Sequence, residues 1–332
     1  MPKIGKSDDV IIKVKACGIC GSDYARYKKL GPYKPGTVWG HEFAGEVTEV
    51  GPAVTNFKAG DRICACPSII CGECDYCRSG DFAMCEKLYA IGSLANGGFA
   101  DYTKMPARNL VKLPDSVSYE AGALIEPSAV AMHAIFKADL HPGDEVAVVG
   151  CGSIGEMLII WAKQLGAKIY AFDIDDGKLQ EAKELGADVT INTQSQDPAE
   201  ALARYTKGVD VAFESAGNPT TSTQVLTLPH KKGKVVYVGI PYADIHMPRY
   251  NFEKIIRSEL TVRGAFGVTS APFPGREWSM PLEILSGGHL DITGIISHRE
   301  KLSRGPELLD DILVNPQKYR KVMLFPEWDY AG

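Results

Sequence analysis

Residues Val10 to Lys15 read VIIKVK, an alternation of apolar and polar positions that predicts a strand with one buried face. A second strand is predicted at Glu46 to Val50. The turn at Gly60 and Asp61 leads into a third at Arg62 to Ala65, and GGFADYTKMP predicts a fourth around Phe99 to Met105. Short strands set off by Gly and Pro turns imply a compact, irregular β-rich domain. After Pro114, SYEAGALIEPSAVAMHAIFKADL is helical in two pieces, with the break expected at Glu126-Pro127 because proline restricts the residue before it.

From Glu145 the pattern changes. Strands at Glu145 to Val149 and Ile169 to Phe172 enclose the helix MLIIWAKQLG, and the alternation continues through VTINT, VDVAFESAG, KVVYVGI and LTVRGAF. Six strands alternating with helices predict a complete doubly wound parallel sheet. Beyond Ser270 come a helix PLEILSGG, the segment IISHRE, a helix near Pro306 to Val314 and a closing strand KVMLF, read as the first domain returning. The fold class is α/β, with residues 1–128 and 271–332 in the β-rich domain and 129–270 in the doubly wound one.

The length of 332 residues supports two domains, since one hydrophobic core stops growing below that size. A net charge of -5 gives no electrostatic reason to bind nucleic acid or an anionic membrane, which leaves small molecules and copies of the chain itself as partners. The opening MPKIGKSDDV has no apolar signal-peptide core, and the longest apolar stretches are interrupted by Glu126 or Glu156, so no membrane span is expected. Of nine cysteines, five fall in Cys-x-x-Cys spacings, which in a chain without a secretory signal reads as metal binding and a cytoplasmic location.

The stretch CGICGSDYARYKKLGPYKPGTVWGHE, Cys17 to Glu42, sets a Cys, a Ser-Asp pair and a His-Glu pair against glycines. A thiolate, an imidazole and carboxylates leave a zinc ion one further position, as in catalytic sites. Cys71, Cys74, Cys77 and Cys85 match a closed tetrahedral site of four thiolates, a structural zinc stapling a lobe of about residues 67–90. Cys64 and Cys66 read as packing thiols, and His133 as a packed helix residue. A carboxylate at Glu126 inside an apolar stretch needs a reason: either coordination beside Cys20 and His41, or a capping or surface role.

GCGSIG at Gly150 to Gly155 lies between a strand and a helix, with Asp173 18 positions beyond its last glycine. Gly150 makes the tight turn, Gly152 admits a pyrophosphate and Gly155 lets helix and strand pack. The helix N-terminus at Ser153 and Ile154 supplies N–H groups. Asp173 would bind a ribose 2'-hydroxyl and repel a 2'-phosphate, which favours NAD over NADP. Lys178 is a nearby cation that would soften this preference, while its ordinary role is that of a solvated helix lysine. Gly217 and Gly239 end strands where the cofactor is expected to cross.

CGICGSD, GHEFAG, the Cys71 to Cys85 lobe and GCGSIG with Asp173 together make the chain resemble the zinc-dependent medium-chain alcohol and polyol dehydrogenases over nearly its whole length. EPSAVAMHA and GAFGVTSAPFPGREW look most like the polyol and sugar-alcohol-phosphate branch. The resemblance implies a GroES-like catalytic domain and two zinc ions. The catalytic zinc would be held by Cys20 and His41 with help from Glu126 and Glu42, placed between the domains. It also implies NAD, a polyol or polyol phosphate substrate, and a homodimer or homotetramer. It selects Cys20, directly before Gly-Ser-Asp, over Cys17.

Hydride transfer from a secondary alcohol is then expected, with Ser22 relaying the hydroxyl proton and Asp23 orienting the loop. L-Threonine, a free polyol such as sorbitol, or a simple secondary alcohol such as butanediol are alternative substrates on the same machinery. An inactive dinucleotide-binding redox sensor is the non-enzymatic alternative. Lys28, Lys29, Arg276 and Arg299 are phosphate-binding candidates by residue type alone. The chain departs from the family at Ala25, where many members carry a proton-passing His, and at Met1, before which the family has about one further strand or hairpin.

Overall fold

The computed structural model describes residues 1–326, apart from the side chains of Lys28 and Lys29. The chain divides into two compact units, Met1–Ala129 together with the chain from Val268 onward, and Val130–Gly267.

The first unit is organised around strand Asp9–Gly18, buried everywhere except at Lys13 and Lys15. Along one edge it pairs antiparallel with Glu42–Val50, followed by Arg62–Ala65 and Leu110–Lys112. Its other edge is shared: Asp9 to Lys13 pair with Tyr102–Pro106, while Cys17 and Gly18 pair with Leu324 and Met323 of strand Lys321–Phe325. Ile296–Lys301 then adds in parallel to that closing strand. Val10, Ile12, Val14, Phe43, Val47 and Ile63 form the core on one face, and Ile19, Leu308, Leu309, Ile312, Val322 and Leu324 form a second cluster under helix Gly305–Val314.

Three boundaries differ from expectation. The second strand begins at Glu42, not Glu46, because Gly45 lets the backbones close up; a Cβ there would lie 2.3 Å from the Lys13 carbonyl. The fourth begins at Tyr102, because the N–H groups of Gly97, Gly98 and Phe99 donate instead to the carbonyls of Val38, Gly40 and Trp39. The helical break falls at Leu124, between Tyr119–Ala123 and Ile125–Ala138. Pro127 therefore sits in a first turn, where its missing N–H has no intrahelical acceptor to serve.

The second unit carries six parallel strands, in order Val189–Asn192, Lys168–Asp173, Glu145–Val149, Val209–Glu214, Pro229–Tyr237 and Thr261–Gly264. Numbered along the chain, this is the 3-2-1-4-5-6 order of a doubly wound dinucleotide domain. Among the described residues no helix is long and apolar enough to cross a membrane.

Candidate metal centre and nucleotide loop

The pairing of Gly18 with Glu42 brings two loops of the first unit together. Gly18 must be small, since a Cβ there would lie 2.3 Å from Glu42 Oε2. Cys20 follows that strand and caps the short helix Gly21–Ala25, while His41 immediately precedes Glu42. One donor atom each from Cys20, His41 and Glu42 lies within 4.8 Å of the others. Asp23, 5% exposed, fixes the arrangement: its Oδ2 accepts the Cys20 N–H at 2.9 Å and its Oδ1 lies 3.9 Å from His41 Nδ1.

The charges are balanced internally. Burial works to lower the His41 pKa, but the Cys20 thiol, Asp23 and Glu126 outweigh it and raise it well above the usual value. Lys321, 1% exposed, donates to both Glu42 oxygens at 2.9 and 2.7 Å and to the Ile19 carbonyl at 3.2 Å. Burial opposes the ammonium charge, and the Glu42 carboxylate overrides it and raises the Lys321 pKa. A zinc ion fits this donor set, because one thiolate, one imidazole and one carboxylate are its ordinary partners and leave a position for substrate.

Glu126 lies outside the converging set. It is 7% exposed in the first turn of helix Ile125–Ala138, and burial pushes its carboxyl up to about 7 while His41 pulls it down. The structure thus gathers Cys20, His41 and Glu42 and leaves Glu126 near His41 without joining the cluster. Ser22 is half-buried on the Cys20 helix. Cys17 is buried in the core, as are Cys64, Cys66 and His133; burial pushes the Cys64 thiol up to about 12.

Cys71, Cys74, Cys77 and Cys85 form the second cluster, with all four sulfurs within 4.8 Å of one another. Cys71 Sγ and Cys77 Sγ are 3.9 Å apart. Zn–S bonds of about 2.3 Å in a tetrahedron put sulfurs about 3.8 Å apart, so this lobe fits zinc on spacing as well as on donor type. Backbone N–H groups of Glu73 and Cys74 lower the Cys71 thiol to about 6, and burial pushes Cys77 up to about 12.

In the second unit, Gly150 has φ +94 and Gly155 packs against it, a Cβ on Gly155 falling 1.9 Å from the Gly150 carbonyl. Over Gly152 a Cβ would meet open space, so the loop is bare where a pyrophosphate would lie. Helix Ser153–Gln164 starts there and directs its first N–H groups toward that space. Asp173 Oδ2 accepts the Cys151 N–H at 2.8 Å, and Oδ1 accepts from Ile174 and Asp175 at 2.8 and 3.1 Å. Its carboxylate is therefore locked beside the glycine loop, and the residues present fit a dinucleotide.

Lys178 is half-buried in the first turn of the next helix, its N–H capped by Asp175 at 3.0 Å. Gly217 and Gly239 pack against each other, a Cβ on Gly239 falling 2.3 Å from Gly217 N. Buried Glu214 accepts the Gly217 N–H at 3.0 Å and the Thr221 hydroxyl at 2.7 Å. Sequence reasoning missed Glu214 and Lys321. The first ends an ordinary strand run, and the second opens the apolar strand KVMLF, where a lysine reads as surface charge.

Residues 6–115 match the family described as alcohol dehydrogenase GroES-like domain, and residues 153–280 match zinc-binding dehydrogenase. The chain is 35% identical to sorbitol dehydrogenase of Bacillus subtilis, covering 96% of this chain and 90% of that protein. It is 34% identical to galactitol 1-phosphate 5-dehydrogenase of Escherichia coli K12, covering 98% and 95%. A crystal structure of galactitol-1-phosphate dehydrogenase from Escherichia coli superposes with TM-score 0.94 at 33% identity, covering 98% of this chain and 95% of that one.

Proposed function

The chain belongs to the zinc-binding alcohol dehydrogenase family, and on that premise we propose that it transfers hydride between NAD and a secondary alcohol of a polyol or polyol phosphate. The observation that carries this reading is the convergence of Cys20, His41 and Glu42 to within 4.8 Å in the first unit. When bound, zinc would lower the pKa of an alcohol hydroxyl and NAD would accept the hydride.

The chain's own residues do the rest. Asp23 holds Cys20 and His41 in register, and Lys321 keeps the buried Glu42 carboxylate charged and aimed. Ser22 takes the hydroxyl proton and passes it on to water, since Ala25 offers no imidazole and Ser22 is partly exposed. In the second unit the N–H groups at Ser153 and Ile154 take the pyrophosphate, and Asp173 takes the ribose. The four-thiolate lobe has no free position and serves as a staple.

Of the four phosphate-binding candidates, one is held by a carboxylate. Arg299 is engaged by Glu120 through paired bonds of 2.8 to 3.0 Å. Arg276 is exposed, and the side chains of Lys28 and Lys29 lie outside the described residues.

A second copy of this chain is the expected protein partner. Strand Thr261–Gly264 is an open, exposed sheet edge, and Phe266 just beyond it is 57% exposed. Metal analysis with NADH appearance over polyols and polyol phosphates tests the enzymatic reading. Two zinc ions per chain and turnover of one substrate class are expected, whereas a zinc-replete protein that reduces NAD with none of them refutes it.

A further inference from the structure

Glu214, 0% exposed at the end of strand Val209–Glu214, has no part in the steps proposed for the reaction. An acid in the interior needs compensation, and here the donors come from the turn and the helical residues that follow the strand. Its Oε1 and Oε2 accept the Gly217 N–H at 3.0 and 3.3 Å, and Oε1 also accepts the Thr221 hydroxyl at 2.7 Å. Burial raises the carboxyl pKa, while Thr221 and the N–H groups of Gly217, Asn218 and Ala216 favour the ionised form. Both oxygens must therefore accept.

The same residue ties a second loop. Its carbonyl accepts the N–H groups of Val238 and Gly239 at 2.8 and 2.9 Å, and a Cβ on Gly239 would lie 2.7 Å from Glu214 Oε2. Glu214 thus joins the turn at Gly217 to the turn at Gly239. The strand order decides which half of a dinucleotide would reach them. Lys168–Asp173, which ends in the proposed ribose partner Asp173, flanks Glu145–Val149 on one side; Val209–Glu214 and then Pro229–Tyr237 flank it on the other. A dinucleotide with its adenosine at Asp173 and its pyrophosphate at Gly152 would direct its nicotinamide half toward Gly217 and Gly239.

We propose that Glu214 is a positioning residue for the nicotinamide half of the cofactor, its carboxylate holding the loop at Gly217 in register with the loop at Gly239. The inference rests on the hydride-transfer reading and deepens its cofactor site. A glutamine at 214 would turn its NH2 toward the Gly217 N–H or the Thr221 hydroxyl, and a donor facing a donor leaves both unpaired. Ser215 provides the contrast. Its hydroxyl donates to the Gly150 carbonyl at 2.9 Å, on the pyrophosphate side.

The experiment titrates the zinc-loaded full chain with NADH and with ADP-ribose, which keeps the adenosine and both phosphates but lacks the nicotinamide. Calorimetry gives a dissociation constant for each ligand. Glu214→Gln is expected to weaken NADH roughly ten-fold, the worth of one hydrogen bond to a charged group, and ADP-ribose by less than about two-fold. Any effect of Ser215→Ala should fall on both ligands alike. Melting temperatures without ligand show whether each variant is folded. Should Glu214→Gln not fold, Thr221→Val, which removes one donor only, is expected to give the same split at about three-fold.

Equal weakening of both ligands, or of neither, overturns the proposal, because a merely structural carboxylate would not single out NADH. The same split in Ser215→Ala overturns it as well. The expected split in a chain that oxidises no alcohol supports the role of Glu214 and counts against the hydride-transfer reading instead.

Discussion

Replacing Lys321 by Met removes an ammonium whose side chain is 1% exposed and whose partner, Glu42, is equally buried. The methionine keeps most of the volume, so the loss is electrostatic rather than a cavity. A buried ion pair broken on one side costs about 3–5 kcal/mol, because the remaining charge has neither water nor partner. For a unit of this size that corresponds to a fall of about 10 °C in melting temperature. Scanning calorimetry of the metal-free protein reads it directly. Lys321→Met combined with Glu42→Leu should recover more than half of the loss, since no charge is then left buried. Added zinc should narrow the deficit of the single variant, because the ion gives Glu42 a replacement cation.

The pH dependence has a definite sign. The folded Lys321 pKa lies above its ordinary 10.5, so the pair's contribution is complete below that value and is lost only as pH rises through the folded pKa. Lys321 itself therefore adds no pH dependence to the stability of the natural chain across the neutral range. A loss below about 1 kcal/mol, the range of exposed pairs, would refute the reasoning. A double variant as unstable as the sum of the singles would do the same.

Cys20→Ser should abolish turnover and leave NADH binding by fluorescence within about two-fold; normal turnover would remove Cys20 from the metal site. Asp173→Ala should weaken NAD at least ten-fold more than NADP in calorimetric titration, because a locked carboxylate worth about 1.4 kcal/mol or more is lost to one cofactor only. Equal losses would end its ribose role. Cys71→Ser should lower bound zinc from two to one per chain by metal analysis and lower the melting temperature, and retention of both ions would contradict the four-thiolate lobe. Val262→Asp, placing a charge on the exposed edge strand, should convert a dimer to a monomer in sedimentation, and an unchanged assembly would move the interface elsewhere.

Features carried by short, local patterns were legible in the sequence. The central strands Glu145–Val149, Lys168–Asp173 and Val209–Glu214 of the parallel sheet carry buried apolar runs, and the glycine loop and the cysteine lobe each fall within 15 residues. Relations between distant residues were not. Nothing near Glu42 announces Lys321, 279 positions away, and nothing in GHEFAG shows that Gly45 is pressed against Lys13. Gly217 and Gly239 were legible as strand ends, but what demands glycine there is the mutual approach of the two loops. Glu126 drew attention as a carboxylate in an apolar stretch, whereas Glu42, in a run that reads as a loop, is the one that converges with Cys20 and His41.

The closing strand sets a schedule on the ribosome. Everything needed for Val130–Gly267 has been synthesised before Lys321 exists, whereas Glu42 waits for a partner 279 residues downstream. At roughly 5–20 residues per second that wait is on the order of tens of seconds. Nascent and truncated chains accordingly carry Cys20, His41 and Glu42 without the strand whose lysine neutralises the buried Glu42 carboxylate.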